Sequence, residues 1–161
     1  MTAPVKAIPE GYHTLTPYIS VKGGREALAF YAAALGAEEI YRLDMPDGRL
    51  GHAEMRIGDS RLMLADEMPD MADAVARSPG TLGGTTTGFH VYVADVDAAF
   101  QRAIAAGGTV KRRVQDQFYG DRSGTFLDPF GHVWTLATHT EDVSPEEIKA
   151  RMANMTKTGS G

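Results

Sequence analysis

Residues 13–37 read HTLTPYISVKGGREALAFYAAALGA, and their pattern is the strongest indication of the fold. Its first nine residues alternate in polarity and are rich in β-branched side chains, as in a strand with one buried face. From residue 24 onward the apolar side chains recur at helical spacing, and Gly36 ends the pattern. The stretch therefore predicts a strand that runs directly into an amphipathic helix.

Three further strands are predicted after this helix. Their segments are EEIYRLDM (38–45), HAEMRI (52–57) and RLMLADE (61–67). The turn sequences PDG at 46–48 and GD at 58–59 separate them, and both contain the glycine that tight turns favour. Residues 12–66 are thus predicted to form one βαβββ module.

The same pattern recurs after a linker at 67–87 that is rich in Pro, Gly and Thr. At an offset of 72 positions, apolar strand residues and helix-ending glycines coincide, as Ile19 and Val91 do. Because helix stops and strand phase agree together, we predict a second βαβββ module at 88–139. Ser144 as N-cap predicts a C-terminal helix at 144–155.

The predicted architecture is α+β and forms one domain overall. Two βαβββ modules make a half-open, curved sheet, and the C-terminal helix follows them. Side chains alternate across each strand, so the residues between the helix-facing positions should face the concave side. That side is polar and aromatic, which suits a cavity for a small molecule.

The predicted cavity draws residues from both modules and from one loop, QDQFYGDRSG at 115–124. The loop residues are expected to close over a bound molecule, and the aromatic residues to stack against it. The predicted cavity residues are Thr16, Tyr18, His52, Glu54, Arg56, Met63, His90, Tyr92, Tyr119, Arg122, Phe126 and Thr135.

Composition excludes several classes of function. The 161 residues carry 16 Lys and Arg against 21 Asp and Glu, a formal charge of −5, and the basic residues are scattered, so no nucleic-acid partner is expected. There is no cysteine, which excludes disulfides and thiol nucleophiles. With no long apolar run and no signal-type N-terminus, we expect a cytoplasmic protein without a membrane partner.

Two paired modules, with ISVKGGREALAFYAAALGA at 19–37 and DPFGH at 128–132, resemble the vicinal oxygen chelate superfamily. That superfamily includes glyoxalase I, extradiol dioxygenases, fosfomycin-resistance enzymes and bleomycin-binding proteins. The segments GHAEMRIGDSRLMLADE (51–67) and YGDRSGTFLDPFGHVWTLATHTEDVSPEEI (119–148) are similar to its PhnB-like branch. The likeness covers roughly residues 12–152 and implies a homodimer.

In metal-dependent members, the resemblance implies four ligands of the types His or Gln, Glu, His and Glu, from the first, fourth, fifth and eighth strands. These positions fall on Thr16, Met63, Gly88 and Thr135. Divalent transition metals in such a site need imidazole or carboxylate donors, which none of these residues supplies. We therefore predict no metal at the inherited site and no cofactor.

Glu54 and Arg56 share the predicted concave face, and two interpretations of them stay open. One is an internal ion-pair network that braces the sheet. The other is recognition of a polar or anionic ligand, with Glu54 available as a catalytic base. His52, Glu54 and His90 also allow a metal at a relocated site.

Three hypotheses for the function follow. The first is a bleomycin-resistance-like protein that binds a small organic, possibly anionic, molecule without a metal centre. The alternative is a metal-dependent or acid/base enzyme of the isomerase, lyase or dioxygenase type, built around His52, Glu54 and His90. The third is a structural or regulatory partner. Glyoxalase I activity is not expected.

Overall fold

The computed structural model describes residues 5–71 and 76–158. The helices are α1 (Gly24–Leu35), α2 (Pro79–Leu82), α3 (Val96–Ala105) and α4 (Pro145–Thr158). The strands are β1 (Tyr18–Val21), β2 (Glu38–Asp44), β3 (Leu50–Ile57), β4 (Ser60–Asp66), β5 (Gly88–Tyr92), β6 (Thr109–Asp116), β7 (Asp121–Leu127) and β8 (Val133–His139). Within the described ranges, no helix is long and apolar enough to cross a membrane.

The chain divides into two compact units, each with one four-stranded sheet. Among the described residues, the first unit contains 5–71, 76–86 and 129–132, and the second contains 87–128 and 133–158. The strand orders are β1-β4-β3-β2 and β5-β8-β7-β6. In each sheet the first and last strands of the module pair in parallel, and the other pairs are antiparallel. The predicted α+β fold of two βαβββ modules, with a C-terminal helix, is confirmed.

Helix α1 is anchored at its first turn by a carboxylate from β4. Asp66 Oδ1 accepts hydrogen bonds from the backbone amides of Gly23 and Gly24, both at 2.8 Å. Asp66 Oδ2 accepts a third from the amide of Leu50, at 2.7 Å. A negative charge at a helix N-terminus is favourable, and these bonds also satisfy amides that the helix itself leaves unpaired. One side chain therefore joins α1, β3 and β4.

The core of each unit lies between its helix and one face of its sheet. In the first unit Tyr31 of α1 and Leu64 of β4 are fully buried. In the second unit the ring of Phe126 packs edge-on against Phe100 of α3, with ring centroids 6.2 Å apart. These contacts leave the opposite face of each sheet available to form a site.

Between equivalent positions of its last two strands, the second module has one residue more than the first. Glu54 pairs with Met63 in the first sheet, whereas Thr125 pairs with Thr135 in the second. The offset of 72 positions relates Met63 to Thr135, and applied to β3 it would relate Glu54 to Phe126. The strand register instead makes Thr125 the equivalent of Glu54. A slip of one residue exchanges the two faces of a strand. The prediction that Phe126 lines the concave side is therefore wrong, and Thr125 takes that place.

Candidate functional site

The inner face of the first sheet, opposite α1, carries the main cluster of candidate residues. Glu54 of β3 lies between Met63 of β4 and Tyr41 of β2 in the strand register. The intervening residue Ala53 is buried on the helix-facing side. Alternation along β3 therefore places His52 and Glu54 on the same inner face, as predicted.

A cavity of about 520 Å³ lies against this face. Its floor includes Glu54, Met63 and Tyr41, and its wall is the segment 7–16 that precedes β1. Apolar and aromatic groups dominate the lining, and Thr16 and Glu54 add polar atoms. Such a mixture in a concave space of this size is typical of small-molecule sites. Of the predicted cavity residues in this unit, the structure brings Thr16, Glu54 and Met63 together here.

Three of the predicted residues form a chain of hydrogen bonds on the inner face. The Oη atom of Tyr18 lies 2.8 Å from Nδ1 of His52, and Nε2 of His52 lies 3.4 Å from Oε1 of Glu54. A carboxylate only accepts, so Nε2 donates to Glu54, and Nδ1 of a neutral imidazole then accepts from the Tyr18 hydroxyl. The chain fixes the tautomer and the orientation of His52.

The two ends of this chain differ in exposure. Glu54 is 8% exposed, whereas Tyr18 is 52% exposed. Partial burial of the phenol raises the pKa of Tyr18 above its usual value, and nearby Tyr41 raises it further. Tyr18 is therefore a neutral hydrogen-bond donor at physiological pH.

Tyr12 is a cavity residue that the sequence did not reveal. It lines the same cavity as Glu54, and its hydroxyl is buried with no hydrogen-bond partner among the described residues. Arg61 holds it in place, since the guanidinium carbon lies 5.2 Å from the Tyr12 ring centroid and Nε donates to the carbonyl oxygen of Gly11. Tyr12 precedes the first strand, where no periodic pattern assigns a side chain to a face.

Arg56 does not contribute to this cavity. Its guanidinium donates to the carboxylate of Glu38 on the edge strand and to the carbonyl oxygen of Gly58. Both contacts lie at the exposed end of the β3–β4 hairpin. The prediction that Arg56 lines the cavity is wrong, because its guanidinium pairs with the carboxylate of Glu38 on β2.

The second unit carries a separate cluster on the inner face of its sheet. Tyr92 donates a hydrogen bond to Oδ2 of Asp121 at 2.9 Å, and Nδ1 of His139 lies 2.8 Å from Oδ1 of the same carboxylate. Nε2 of His139 lies 2.9 Å from Oδ1 of Asp142. A cavity of about 480 Å³ adjoins this cluster, and Tyr92 and Tyr119 both line it.

His139 lies between two carboxylates, and they change its titration. The hydrogen bonds that the His139 ring donates, to Asp121 as the larger cause and to Asp142, raise the pKa of His139 above its usual value. Asp121, His139 and Asp142 were not predicted as site residues. The alternation from Thr135 through Ala137 to His139 is the sequence signal that places His139 on the inner face.

The remaining predicted residues of the second unit have different surroundings. His90 packs beside Tyr92, with ring centroids 4.9 Å apart, and Thr135 Oγ1 lies 2.9 Å from Thr125 Oγ1. Phe126 is fully buried in the core.

Arg122 does not close over a ligand as predicted. It pairs bidentately with Asp97 in the first turn of α3 and also with Asp116. Arg122 of β7 lies opposite Thr138 of β8 in the strand register, so both side chains are on the same face of the sheet. The Thr138 hydroxyl accepts a hydrogen bond from the backbone amide of Val96 at the start of α3, which identifies this face as the helix-facing one. The predicted cavity residues thus divide between the two units, and one shared cavity lined by all of them stays a prediction.

Residues 12–136 match the family model of the glyoxalase/bleomycin resistance protein/dioxygenase superfamily. The chain belongs to this superfamily. The uncharacterized protein Mb0911c of Mycobacterium bovis is 43% identical to it over 140 residues, which are 87% of this chain and 92% of that protein. The name of that relative states no activity and no ligand.

Solved structures share the fold of this chain. The crystal structure of protein PA1353 from Pseudomonas aeruginosa has a TM-score of 0.61 and 25% identity, and the match covers 80% of this chain and 99% of that one. The PhnB protein from Bacillus cereus has a TM-score of 0.59 at 16% identity, over 78% of this chain and 99% of that one. The second likeness shows the fold alone.

The residues at the positions that the superfamily resemblance assigns to metal ligands do not fit a metal ion. Thr16 and Met63 supply a hydroxyl and a thioether in the first unit, and Gly88 and Thr135 supply no side chain and a hydroxyl in the second. Within residues 5–71 and 76–158, no three His, Asp or Glu side chains are arranged to hold a metal ion. We therefore assign no chemistry of this protein to a metal.

Proposed function

We propose that this member of the glyoxalase/bleomycin resistance protein/dioxygenase superfamily binds a small organic molecule in the first-unit cavity beside Glu54. The binding uses hydrogen bonds and aromatic contacts in place of a metal ion. The first of the three hypotheses from the sequence is thereby retained, with its site narrowed to one unit.

The buried carboxylate of Glu54 is the observation that carries this proposal. It is 8% exposed, lines the cavity, and accepts one long hydrogen bond, from His52, among the described residues. A carboxylate has room for about four hydrogen bonds, and leaving a buried charge poorly paired costs free energy. A ligand that donates to Glu54 supplies the missing partner.

The charge of the cavity favours a ligand that is not an anion. Glu54 is the acidic residue of the lining, and no Lys or Arg stands among the described lining residues. An anion would meet the Glu54 carboxylate with no Lys or Arg in the described lining to offset the repulsion, and His13 is the titratable base of the lining. The proposed ligand is therefore neutral or offers hydrogen-bond donors, which differs from the anionic ligand that Arg56 suggested in the sequence.

A fragment screen by thermal unfolding tests the proposal. At a ligand concentration ten times Kd, binding adds about 1.4 kcal/mol of stability, which raises Tm by about 3–6 °C in a chain of this size. The library contains neutral and anionic ring compounds of equal size. We expect neutral compounds to dominate the hits.

Two tryptophan variants locate the binding. Thr16→Trp fills the cavity and should abolish the stabilisation, whereas Leu15→Trp, at a position 85% exposed and outside the lining, should preserve it. Equal stabilisation of both variants, or no hit in the whole library, contradicts the proposal.

A parallel arm adds Mg²⁺, Mn²⁺, Fe²⁺, Co²⁺, Ni²⁺ or Zn²⁺ to the purified protein. Stoichiometric metal binding with a clear rise in Tm would refute the metal-free part of the proposal. The expected result is no specific stabilisation, because the donor set at the inherited positions lacks imidazole and carboxylate groups.

A further inference from the structure

We propose that the inner face of the second sheet binds the carboxylate group of a small organic anion, with Arg112 and Thr135 donating hydrogen bonds to its oxygens. This site is separate from the first-unit cavity and takes a ligand of different charge. The inference does not depend on the function proposed above, because no residue of the first unit takes part in it.

Four polar side chains form one row across the inner face of this sheet. The strand register places Thr125 of β7 between Arg112 of β6 and Thr135 of β8. His90 of β5 lies opposite Thr135 and completes the row. Directly opposed residues of neighbouring strands point to the same face of a sheet. Arg112 and His90 are exposed and the two threonines are half-buried, so a ligand can reach the row from solvent.

A β-bulge brings Arg112 to this face. Val110 pairs with Phe126, whose side chain is fully buried on the helix-facing side. An undisturbed strand would return Arg112 to that same side, but β6 has one residue more than β7 between the Val110 and Arg112 pairs. An extra residue of this kind changes the face that the following side chains occupy. The alternation in the sequence therefore does not place Arg112 on the inner face.

The hydrogen bonds within the row leave donors that have no acceptor among the described residues. Nη2 of Arg112 donates to Oγ1 of Thr125 at 3.1 Å, and that oxygen lies 2.9 Å from Oγ1 of Thr135. The contact between the two hydroxyls uses one of their hydrogens, so the other hydrogen remains to be donated. Within the described ranges Arg112 forms no ion pair, whereas Arg122 of β7 pairs with two aspartates. The remaining N–H groups of the Arg112 guanidinium are therefore available to a ligand.

The charge and shape of these donors match a carboxylate. A guanidinium is planar and presents parallel N–H groups that fit the two oxygens of a carboxylate, and one negative charge balances its one positive charge. Asp121 lies on the same face, about 13 Å from Thr125 at the usual rise of a strand. It already accepts hydrogen bonds from Tyr92 and His139. At that distance Asp121 neither neutralises Arg112 nor strongly repels a bound anion.

The equivalent row of the first sheet has the opposite character. There the strand register places Glu54 between Tyr41 and Met63. Thr125 takes the place of the Glu54 carboxylate in the second sheet, and Arg112 takes the place of Tyr41. A carboxylate ligand is therefore repelled by the inner face of the first sheet and attracted by that of the second.

Titration with benzoate and with its neutral counterpart benzamide, followed by NMR of the backbone amides, tests the site. We expect benzoate to shift the amides of Thr125, Thr135 and His90 with a Kd on the order of 1 mM, because the face is open and offers one charge. At these amides benzamide should bind about tenfold more weakly, since its oxygen carries no charge. Added salt should weaken benzoate and leave benzamide unchanged.

Four variants assign the donors. Arg112→Gln should weaken benzoate about tenfold, whereas Arg112→Lys, which keeps the charge without the planar fork, should recover part of the affinity. Thr135→Val removes the hydroxyl and should weaken benzoate about threefold to tenfold. Arg102→Gln is the matched control, because this exposed residue of α3 carries the same charge on the helix-facing side of the sheet. Its Kd should equal that of the unaltered protein.

Equal binding of benzoate and benzamide at these amides, or no saturable shift with benzoate, overturns the site. An equal loss in Arg112→Gln and Arg102→Gln also overturns it. Inorganic phosphate that binds the same amides at least about tenfold more tightly than benzoate overturns the carboxylate assignment. Thr16→Trp should leave benzoate binding unchanged, so a failure of the first-unit proposal does not decide this one. Circular dichroism and Tm confirm that every variant retains the fold.

Discussion

Replacing Asp66 by alanine should destabilise the first unit by about 3 kcal/mol. The substitution removes the acceptor of three backbone hydrogen bonds, from Gly23, Gly24 and Leu50, at 2.7–2.8 Å. Each amide left without a partner costs about 1–3 kcal/mol. The site is only part-buried, so water replaces some of the loss, and the lower bound of about 1 kcal/mol per amide applies.

The expected loss is large enough to measure by two methods. In a chain of this size, about 3 kcal/mol lowers Tm by about 6–12 °C. Urea unfolding followed by circular dichroism gives the free energy of unfolding, and amide hydrogen exchange reports the three affected amides separately. Gly23, Gly24 and Leu50 should exchange faster than other amides of α1 and β3.

Asp59→Ala is the matched control. Asp59 lies in the exposed β3–β4 turn, where its carboxylate accepts a local hydrogen bond from the Ser60 hydroxyl, at 2.9 Å. This change should alter stability by less than about 0.5 kcal/mol. A loss of less than about 1 kcal/mol in Asp66→Ala, or unchanged exchange at the three amides, would show that the carboxylate does not organise the start of α1.

Two further predictions concern the second unit. Gly120→Ala should lower Tm in thermal unfolding by several degrees. The added Cβ atom would lie 2.2 Å from the Glu141 carbonyl oxygen, and the φ of Gly120 is +100°, which non-glycine residues rarely adopt. Gly84→Ala is the control, because a Cβ atom there has no neighbouring atom within 4 Å. The pKa of His139 should exceed 6.5 by NMR titration, and Asp121→Asn should lower it. The stabilising pair is then fully present below pH 6.5 and is lost as pH rises through the folded pKa, whereas a measured pKa at or below 6.5 would contradict the pairing.

Periodicity predicted the fold because each strand and helix buries a face that its own residues define. The alternation in β3 was sufficient to place His52 and Glu54 on the inner face, and the spacing in 24–36 was sufficient to predict α1. The same reasoning failed at Phe126, where an offset valid for β8 was carried into β7. One additional residue in the turn between β7 and β8 moves every side chain of β7 to the opposite face of the sheet from the one that the offset predicts. An offset read from β8 does not show that this residue has been added.

The candidate site was predicted in part, for a related reason. Glu54 and Met63 meet because they are opposite in the β3–β4 register, which the hairpin sequence already implies. Tyr12 was missed because its position depends on Arg61, 49 residues later in the chain, which stacks over its ring. Contacts between distant segments leave no periodic signal in either segment.

Residue type and spacing are enough to establish the repeated βαβββ order and the superfamily likeness. They also show that imidazole and carboxylate donors are missing from the positions that the likeness assigns to metal ligands. In contrast, the pairing of Arg56 with Glu38, the burial of Phe126 in the core, and the cavity shared by Glu54 and Tyr12 become visible only in the folded chain. Burial and pairing depend on strand register and on contacts between distant segments, and these form only when the chain folds.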